Sequence, residues 1–305
     1  MKTVLILGGA GFIGKNLTNF LVKKGIRVRI LDILAPQIHG NIPQKMDWLD
    51  NPLIDFVRGS ICNRDILRGS LQGVSHVVHL AAETGTGQSM YEVARYNEIN
   101  SQGTAVLMDL LINENNLAVQ QVVLASSRSV YGEGAYKCIS CDSELGRVFP
   151  SGRSLRQLEE GSWEPACQWC HGELSPIPTR ENDPVNPASI YAATKFAQEE
   201  LVRIGCNAKE ISYAILRFQN VYGEGQSLEN PYTGILSIFS TRIRRGLHLP
   251  IFEDGQETRD FVHVEDVVNA VHACLNSKEK LDTVINVGSG EGTTILEVAK
   301  MMVDI

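Results

Sequence analysis

The chain opens on a short apolar run that ends in glycines, and this constrains its fold more than any other feature. Thr3–Leu7 (TVLIL) is apolar throughout, as a strand buried on both faces of a parallel sheet must be. Gly8-Gly9-Ala10-Gly11-Phe12-Ile13-Gly14 follows at once, with a glycine at every third position from Gly8. A helical pattern runs from Phe12 to Lys24, and Gly25 ends it. A strand turning directly into a helix aims backbone N–H groups and the positive helix end at one spot, suited to a pyrophosphate.

The rest of the chain repeats the rhythm. Arg27–Leu31, Asp55–Arg58, His76–Leu80, Gln121–Ala125, Ile211–Arg217 and Thr283–Val287 are expected strands. Helical patterns lie between them, including Asn100–Asn113 and Ser189–Arg203. Alternation at this spacing predicts an α/β fold with a doubly wound parallel sheet, the Rossmann arrangement. Two stretches break it. Glu133–Pro187 is polar and rich in Gly, Pro, Ser and Cys, so it is expected as an insertion. Gly223–Asp260 is expected in a smaller C-terminal substrate lobe. The expected division is a cofactor domain over 1–222 and 261–287, an insertion over 133–187, and a lobe over 223–260 and 288–305. A helix begins near Thr294 and is cut at Ile305, so the lobe is expected to be incomplete.

Within this frame, three further features point to chemistry. Asp32 ends the second strand, where it can accept hydrogen bonds from ribose hydroxyls and repel a 2′-phosphate, favouring NAD over NADP. Leu80-Ala81-Ala82 ends the fourth strand with small residues that leave room for a cofactor. Tyr191 and Lys195 lie four apart on one helix face. An ammonium near a phenol, together with a positive nicotinamide ring, would lower its pKa and let Tyr191 move protons. Ser127, just past a strand, can hydrogen-bond the reacting oxygen.

Composition excludes other classes. The 305 residues carry a net charge of −7 and show no basic stripe, which argues against nucleic acid. The apolar runs are strand-length, so no membrane span is expected, and the cytoplasm is the default address.

These motifs together resemble the extended short-chain dehydrogenase/reductase family, and within it the nucleotide-sugar epimerases and dehydratases. The resemblance assigns Ser127, Tyr191 and Lys195 to catalysis, with Val130-Tyr131-Gly132 fixing the register. It implies a cofactor site of Gly8, Gly11, Phe12, Ile13, Gly14, Asp32, Ser60, Ile61, Leu80, Ala81, Ala82 and Asn100, with Tyr191 and Lys195. For the nucleotide-sugar substrate it implies Thr84, Ser127, Asn220 in Arg217–Gly223, and Arg259 in Arg259–Val264. Gln219 stands where the family carries an aromatic residue. Dehydratases of the family place an acidic pair after the serine or threonine; here Arg128 and Ser129 stand there, which favours epimerisation. A narrower similarity, to 4-epimerases of dTDP-L-rhamnose that form dTDP-6-deoxy-L-talose, rests on Gly87–Glu92, Tyr131–Gly134 and Asn230–Gly234. The alternatives left open are a 4,6-dehydratase, a dehydrogenase or reductase, and a non-catalytic member that keeps NAD as a structural ligand. The resemblance also implies a homodimer, with Val106, Leu110 and Phe196 on outward helix faces.

Of seven cysteines, Cys138, Cys141, Cys167 and Cys170 form a CxxC…CxxC set inside the insertion. Two such knuckles suit a tetrahedral zinc thiolate, which could supply folding energy to a segment with little core. Free thiols or redox pairs are the alternatives. Cys62, Cys206 and Cys274 lie apart, His171 reads as a bystander, and His79 and His263 read as core.

Overall fold

The computed structural model describes residues 3–40, 46–141, 146–228, 230, 232 and 234–304. Met1-Lys2, Ile305, residues 142–145 of the insertion, and Pro231 and Thr233 of the Asn230–Gly234 stretch lie outside the described residues.

Seven strands form the main sheet: β1 (Thr3–Leu7), β2 (Arg27–Asp32), β3 (Ile54–Arg58), β4 (His76–His79), β5 (Gln121–Ser127), β8 (Ser212–Phe218) and β11 (Thr283–Val287). Their order is β11-β8-β5-β4-β1-β2-β3, with every pair parallel. Strand alternation sorts the core into two layers. Val4, Ile6, Val28 and Ile30 face the helices Phe12–Lys23 and Val264–Leu275. Leu5, Leu7, Val122 and Leu124 face the helices Arg64–Leu71, Gly103–Asn113 and Ile190–Ala208. The chain reverses direction across the sheet between β1 and β4, and there the carboxyl ends of the strands open a cleft.

Two smaller units flank this sheet. In the insertion, β6 (Tyr136–Cys138) pairs antiparallel with β7 (Leu174–Pro176). In the lobe, β10 (Thr258–His263) pairs with β9 (Asn220–Tyr222) and β12 (Gly292–Thr294). The helices Ile235–Arg244 and Ile295–Val303 pack there around Phe239 and Val298.

Several expected bounds move for local reasons. β5 runs on through Ser127 because Ser126 and Ser127 pair with Arg217 and Phe218 of β8. The helix expected at Asn100 starts as a π-helical turn, Asn97–Gln102, and becomes α-helical at Gly103. Leu110 does not face outward: it is fully buried against the sheet. His263 is not core; its ring caps the helix Val264–Leu275 by accepting from the Glu265 N–H.

At the glycine loop the fit is tight. A Cβ on Gly8, which has φ +75°, would lie 2.7 Å from the Ala81 nitrogen. One on Gly14 would lie 2.6 Å from the Gly9 Cα, with backbone and no flexible side chain in the way. We expect Gly14→Ala to lower stability by about 1–3 kcal/mol, as overpacking does. Urea unfolding checks this, and an unchanged midpoint would contradict the packing described.

Candidate active site

The cleft above the sheet is a cavity of about 1130 Å³. At one end the glycine loop enters the helix Phe12–Lys23, with Gly11 as its N-cap. Asp32 stands beside the loop. One carboxylate oxygen accepts from the Ala10 N–H at 3.0 Å and the other from the Leu34 N–H at 2.8 Å. Ser60, Ile61, Leu80, Ala81 and Ala82 line the middle of the cavity along with Gly8, Gly11, Phe12, Ile13 and Gly14.

Asn100 is not among the lining residues and is fully buried behind the wall. Its amide oxygen accepts from the Glu83 N–H at 2.8 Å, and its NH₂ donates to the Glu83 carbonyl and to Thr194 Oγ1. It therefore ties the loop after β4 to the helix that carries Tyr191.

Ser127, Tyr191 and Lys195 line the same cavity. Ser189 caps their helix by accepting from the Ala192 N–H at 3.1 Å, so Tyr191 comes in its first turn. The edge of one ring meets the face of the other where Tyr96 packs on Tyr191, centroids 6.5 Å apart. Burial pushes the Tyr191 phenol above its ordinary value, and Ser127 pulls it back. Burial also pushes Lys195 down to about 7, against the pull of Glu199. The lowered phenol expected from the sequence is thus reversed in the protein alone. Removal from water outweighs Ser127 at the phenol and Glu199 at the lysine, and Lys195 Nζ donates to Gln198 at 2.8 Å.

Thr84, Asn220 and Arg259 line the far end of the cavity. Asn220 donates to the Asp260 carbonyl at 3.2 Å, and Arg259 forms an ion pair with Glu257. Burial and the nearby Arg128 push Arg259 down to about 10. A second compartment of about 560 Å³ adjoins it under the insertion, sharing Thr86, Gln219, Glu257 and Arg259 as common wall. Arg128 lines this compartment and not the main cavity, and donates to the Gly132 carbonyl at 3.2 Å. Arg153 joins the insertion to the lobe by donating to both carboxylate oxygens of Glu253 at 2.9 Å.

One element was not foreseen from the sequence. Glu199 and Arg217 form a buried ion pair at 2.7 Å, with side chains 3% and 5% exposed. Ser126 also donates to Glu199, and the Arg217 guanidinium stacks on Tyr131 at 4.6 Å. The only signal was an acid one helical turn after Lys195 and an arginine near the end of an apolar strand.

In the insertion the four sulfur atoms of Cys138, Cys141, Cys167 and Cys170 lie within 4.8 Å of one another. Cys138 and Cys170 are 3.5 Å apart, and Cys141 and Cys167 3.8 Å. These are the edges expected of a tetrahedron with ligand bonds of about 2.3 Å. The Cys141 N–H donates to Cys138 Sγ at 3.2 Å and the Gly172 N–H to Cys170 Sγ at 3.4 Å. Donation from Cys141 is the chief cause that holds the Cys138 thiol down at about 7. His171 is not part of the cluster, and Cys206 and Cys274 are buried elsewhere.

Residues 4–152 and 169–288 match the profile of the NAD dependent epimerase/dehydratase family, and the chain belongs to this family of enzymes. Within the internal stretch that the profile leaves unmatched, 153–168, lies most of the chain between the two cysteine pairs. The chain is 38% identical over 305 residues to a dTDP-L-rhamnose 4-epimerase of Burkholderia thailandensis, covering 99% of this chain and 80% of that protein. It is 30% identical over 296 residues to a putative UDP-glucose 4-epimerase of Methanocaldococcus jannaschii, covering 96% and 79%. Among solved structures it is similar to the UDP-glucuronic acid 4-epimerase of Bacillus cereus in complex with UDP-glucuronic acid and NAD, with TM-score 0.75 and 25% identity over 98% of this chain and 82% of that one.

Removing one partner of the buried pair leaves an uncompensated charge. Glu199→Ala should therefore destabilise the protein by about 3–5 kcal/mol. Chemical denaturation measures this, and a loss below about 1 kcal/mol would mean that Arg217 finds water or another partner.

Proposed function

We propose that this protein is an NAD-dependent nucleotide-sugar 4-epimerase that interconverts dTDP-L-rhamnose and dTDP-6-deoxy-L-talose. One observation carries the proposal: the glycine loop, Asp32 and the Ser127, Tyr191 and Lys195 set line a single cavity, with no carboxylic acid in the two positions after Ser127.

The residues present fit the cofactor. Gly8 and Gly14 permit the tight loop packing that no side chain would allow. The loop's backbone lines the cavity at the start of the helix Phe12–Lys23, as a pyrophosphate needs, and Asp32 lines the same cavity, able to accept from an adenosine ribose. When bound, NAD supplies a hydride acceptor and donor for the sugar C4. This chain handles the proton. Tyr191 removes it from the C4 hydroxyl, Ser127 holds the reacting oxygen, and the Lys195 ammonium favours the phenolate. Asn220 and Arg259 hold the diphosphate, Arg259 through a guanidinium fork suited to it. After the sugar turns, Tyr191 returns the proton to the oxygen on the inverted carbon.

Two features favour this outcome over 4,6-dehydration. Arg128, the first residue after Ser127, lines the neighbouring compartment, and Ser129 carries no acid. The similarity to the Burkholderia thailandensis enzyme supports the choice of sugar. The lobe over 223–260 and 288–305 is proposed to hold the nucleotide-sugar, and 1–222 with 261–287 the cofactor.

We also propose a homodimer through the helices Gly103–Asn113 and Ile190–Ala208. Val106 and Phe196 are half-buried and Ile204 is 58% exposed, and a second copy would cover them. Among the described residues no helix is long and apolar enough to cross a membrane.

Incubation with dTDP-L-rhamnose should give dTDP-6-deoxy-L-talose reversibly, with no net NADH. Tyr191→Phe should lower the rate by about 10²–10⁴-fold while NAD still binds. Product analysis by NMR checks both. Turnover of dTDP-glucose to a keto-deoxy sugar would instead establish a dehydratase.

Zinc is proposed for the four cysteines. Among the described residues, the core of the insertion is Tyr136, Val148 and Leu174 beside Cys138, Cys167 and Cys141, too little to order the segment alone. Protein purified without chelator should contain one zinc per chain. Its removal should shift tryptophan emission from Trp163 and Trp169 and expose four thiols. A metal-free protein whose four thiols titrate freely in an unchanged fold would refute the site.

A further inference from the structure

Behind the cleft, Lys195 does not end the polar chain; it begins one that runs inward to β4. Lys195 Nζ lies 2.8 Å from Gln198 Oε1, and Gln198 Nε2 lies 2.8 Å from Thr104 Oγ1. Thr104 Oγ1 lies 2.9 Å from His79 Nε2 and 2.7 Å from the Asn100 carbonyl. Gln198, Thr104 and His79 are each at most 1% exposed.

The direction of every bond follows from one of them. A carbonyl only accepts, so the Thr104 hydroxyl spends its proton on Asn100. Thr104 Oγ1 can then only accept, so His79 must carry its hydrogen on Nε2. His79 Nδ1 is left bare, and it is buried with no partner among the described residues. Burial, with Lys195 adding to it, pushes His79 down to about 3 and keeps it neutral. Gln198 must likewise present its NH₂ to Thr104, since its carbonyl would find no hydrogen there. The 3.3 Å approach of Gln198 Nε2 to His79 Nε2 then sets two donors side by side and carries no bond. Only the amide oxygen remains for Lys195.

We infer that Gln198 is a positioning residue for Lys195, its amide oriented by Thr104 and His79 so that a carbonyl oxygen always faces the lysine ammonium. The inference rests on the proposed catalytic role of Lys195, which it deepens. An acceptor at 2.8 Å favours the protonated lysine, against a burial that works the other way. Among the described residues, the other charged or titratable groups on the elements around Lys195 are few. Glu199 on the same helix is held by Arg217, His79 faces it from β4, and Tyr191 stands one turn earlier. No charged side chain from the helix Gly103–Asn113 enters the chain of bonds, only Thr104.

The test titrates Lys195 in the NAD-loaded protein by NMR of labelled lysine side chains, with Lys195→Arg assigning the signal. Gln198→Leu should lower the Lys195 midpoint by about one unit, and Gln198→Glu, close in size and sure to keep an acceptor, should raise it. Thr104→Val should lower it, and Thr104→Ser should restore it. The alkaline limb of the kcat profile should follow, because the ammonium is the active form. At a pH above both midpoints, one unit is about a tenfold loss of kcat for Gln198→Leu, with KM within about twofold. The same Lys195 midpoint in wild type, Gln198→Leu and Gln198→Glu would overturn the inference. Midpoints that move without the rate profile would leave the link to Gln198 standing and remove Lys195 from catalysis.

Discussion

The architecture turns on the contact between the first glycine and the end of the fourth strand. Gly8 and Ala81 can touch only because Gly8 has no side chain; a Cβ there would sit 2.7 Å from the Ala81 nitrogen. That contact closes the seam between β1 and β4, where the chain reverses its direction across the sheet. With the seam closed, the loop after β1, the loop after β4 and the end of β5 face one cavity. A larger residue would push the loops apart, and with them the N–H groups at the start of the first long helix.

The second constraint is polar and lies deeper. Helices packed on a parallel sheet normally bury apolar faces, yet the helix Ile190–Ala208 buries Thr194, Lys195, Gln198 and Glu199. Each is satisfied: Thr194 by Asn100, Lys195 by Gln198, Gln198 by Thr104, and Glu199 by Arg217 and Ser126. A buried network of this kind is costly if any member is lost, and it fixes orientation where an apolar interface would let the helix slide. It places the Tyr191 phenol and the Lys195 amine on the wall of one cavity.

Much of this was legible from local pattern. Continuous apolar runs marked the strands because both faces of a parallel sheet are dry, and the glycine spacing marked the loop because no other residue permits the approach. Every residue expected to meet cofactor or substrate lines the cavity except Asn100, which lies behind the wall and bonds the Glu83 backbone and Thr194. What was not legible is non-local. Leu110 looked free on a helical wheel and proved to face the sheet, since the wheel does not say which stripe is covered. The phenol of Tyr191 is expected to be lowered by Lys195 together with a nicotinamide ring; in the protein alone burial raises it, and how far burial acts depends on the surrounding walls. The contact of Arg153 with Glu253 spans a hundred residues and has no sequence signature. The cysteine spacing was plain, whereas the compartment the insertion encloses beside the cleft was not.

The central claim is that C4 is oxidised and reduced again within this one cleft, without release of the hydride. Following deuterium at C4 tests it most directly. With dTDP-L-rhamnose labelled with deuterium at C4 and ordinary water as solvent, both epimers at equilibrium should keep the label at C4. Washout of the label into water, or solvent hydrogen appearing at C3 or C5, would contradict hydride transfer at C4 and require a different chemistry for this site.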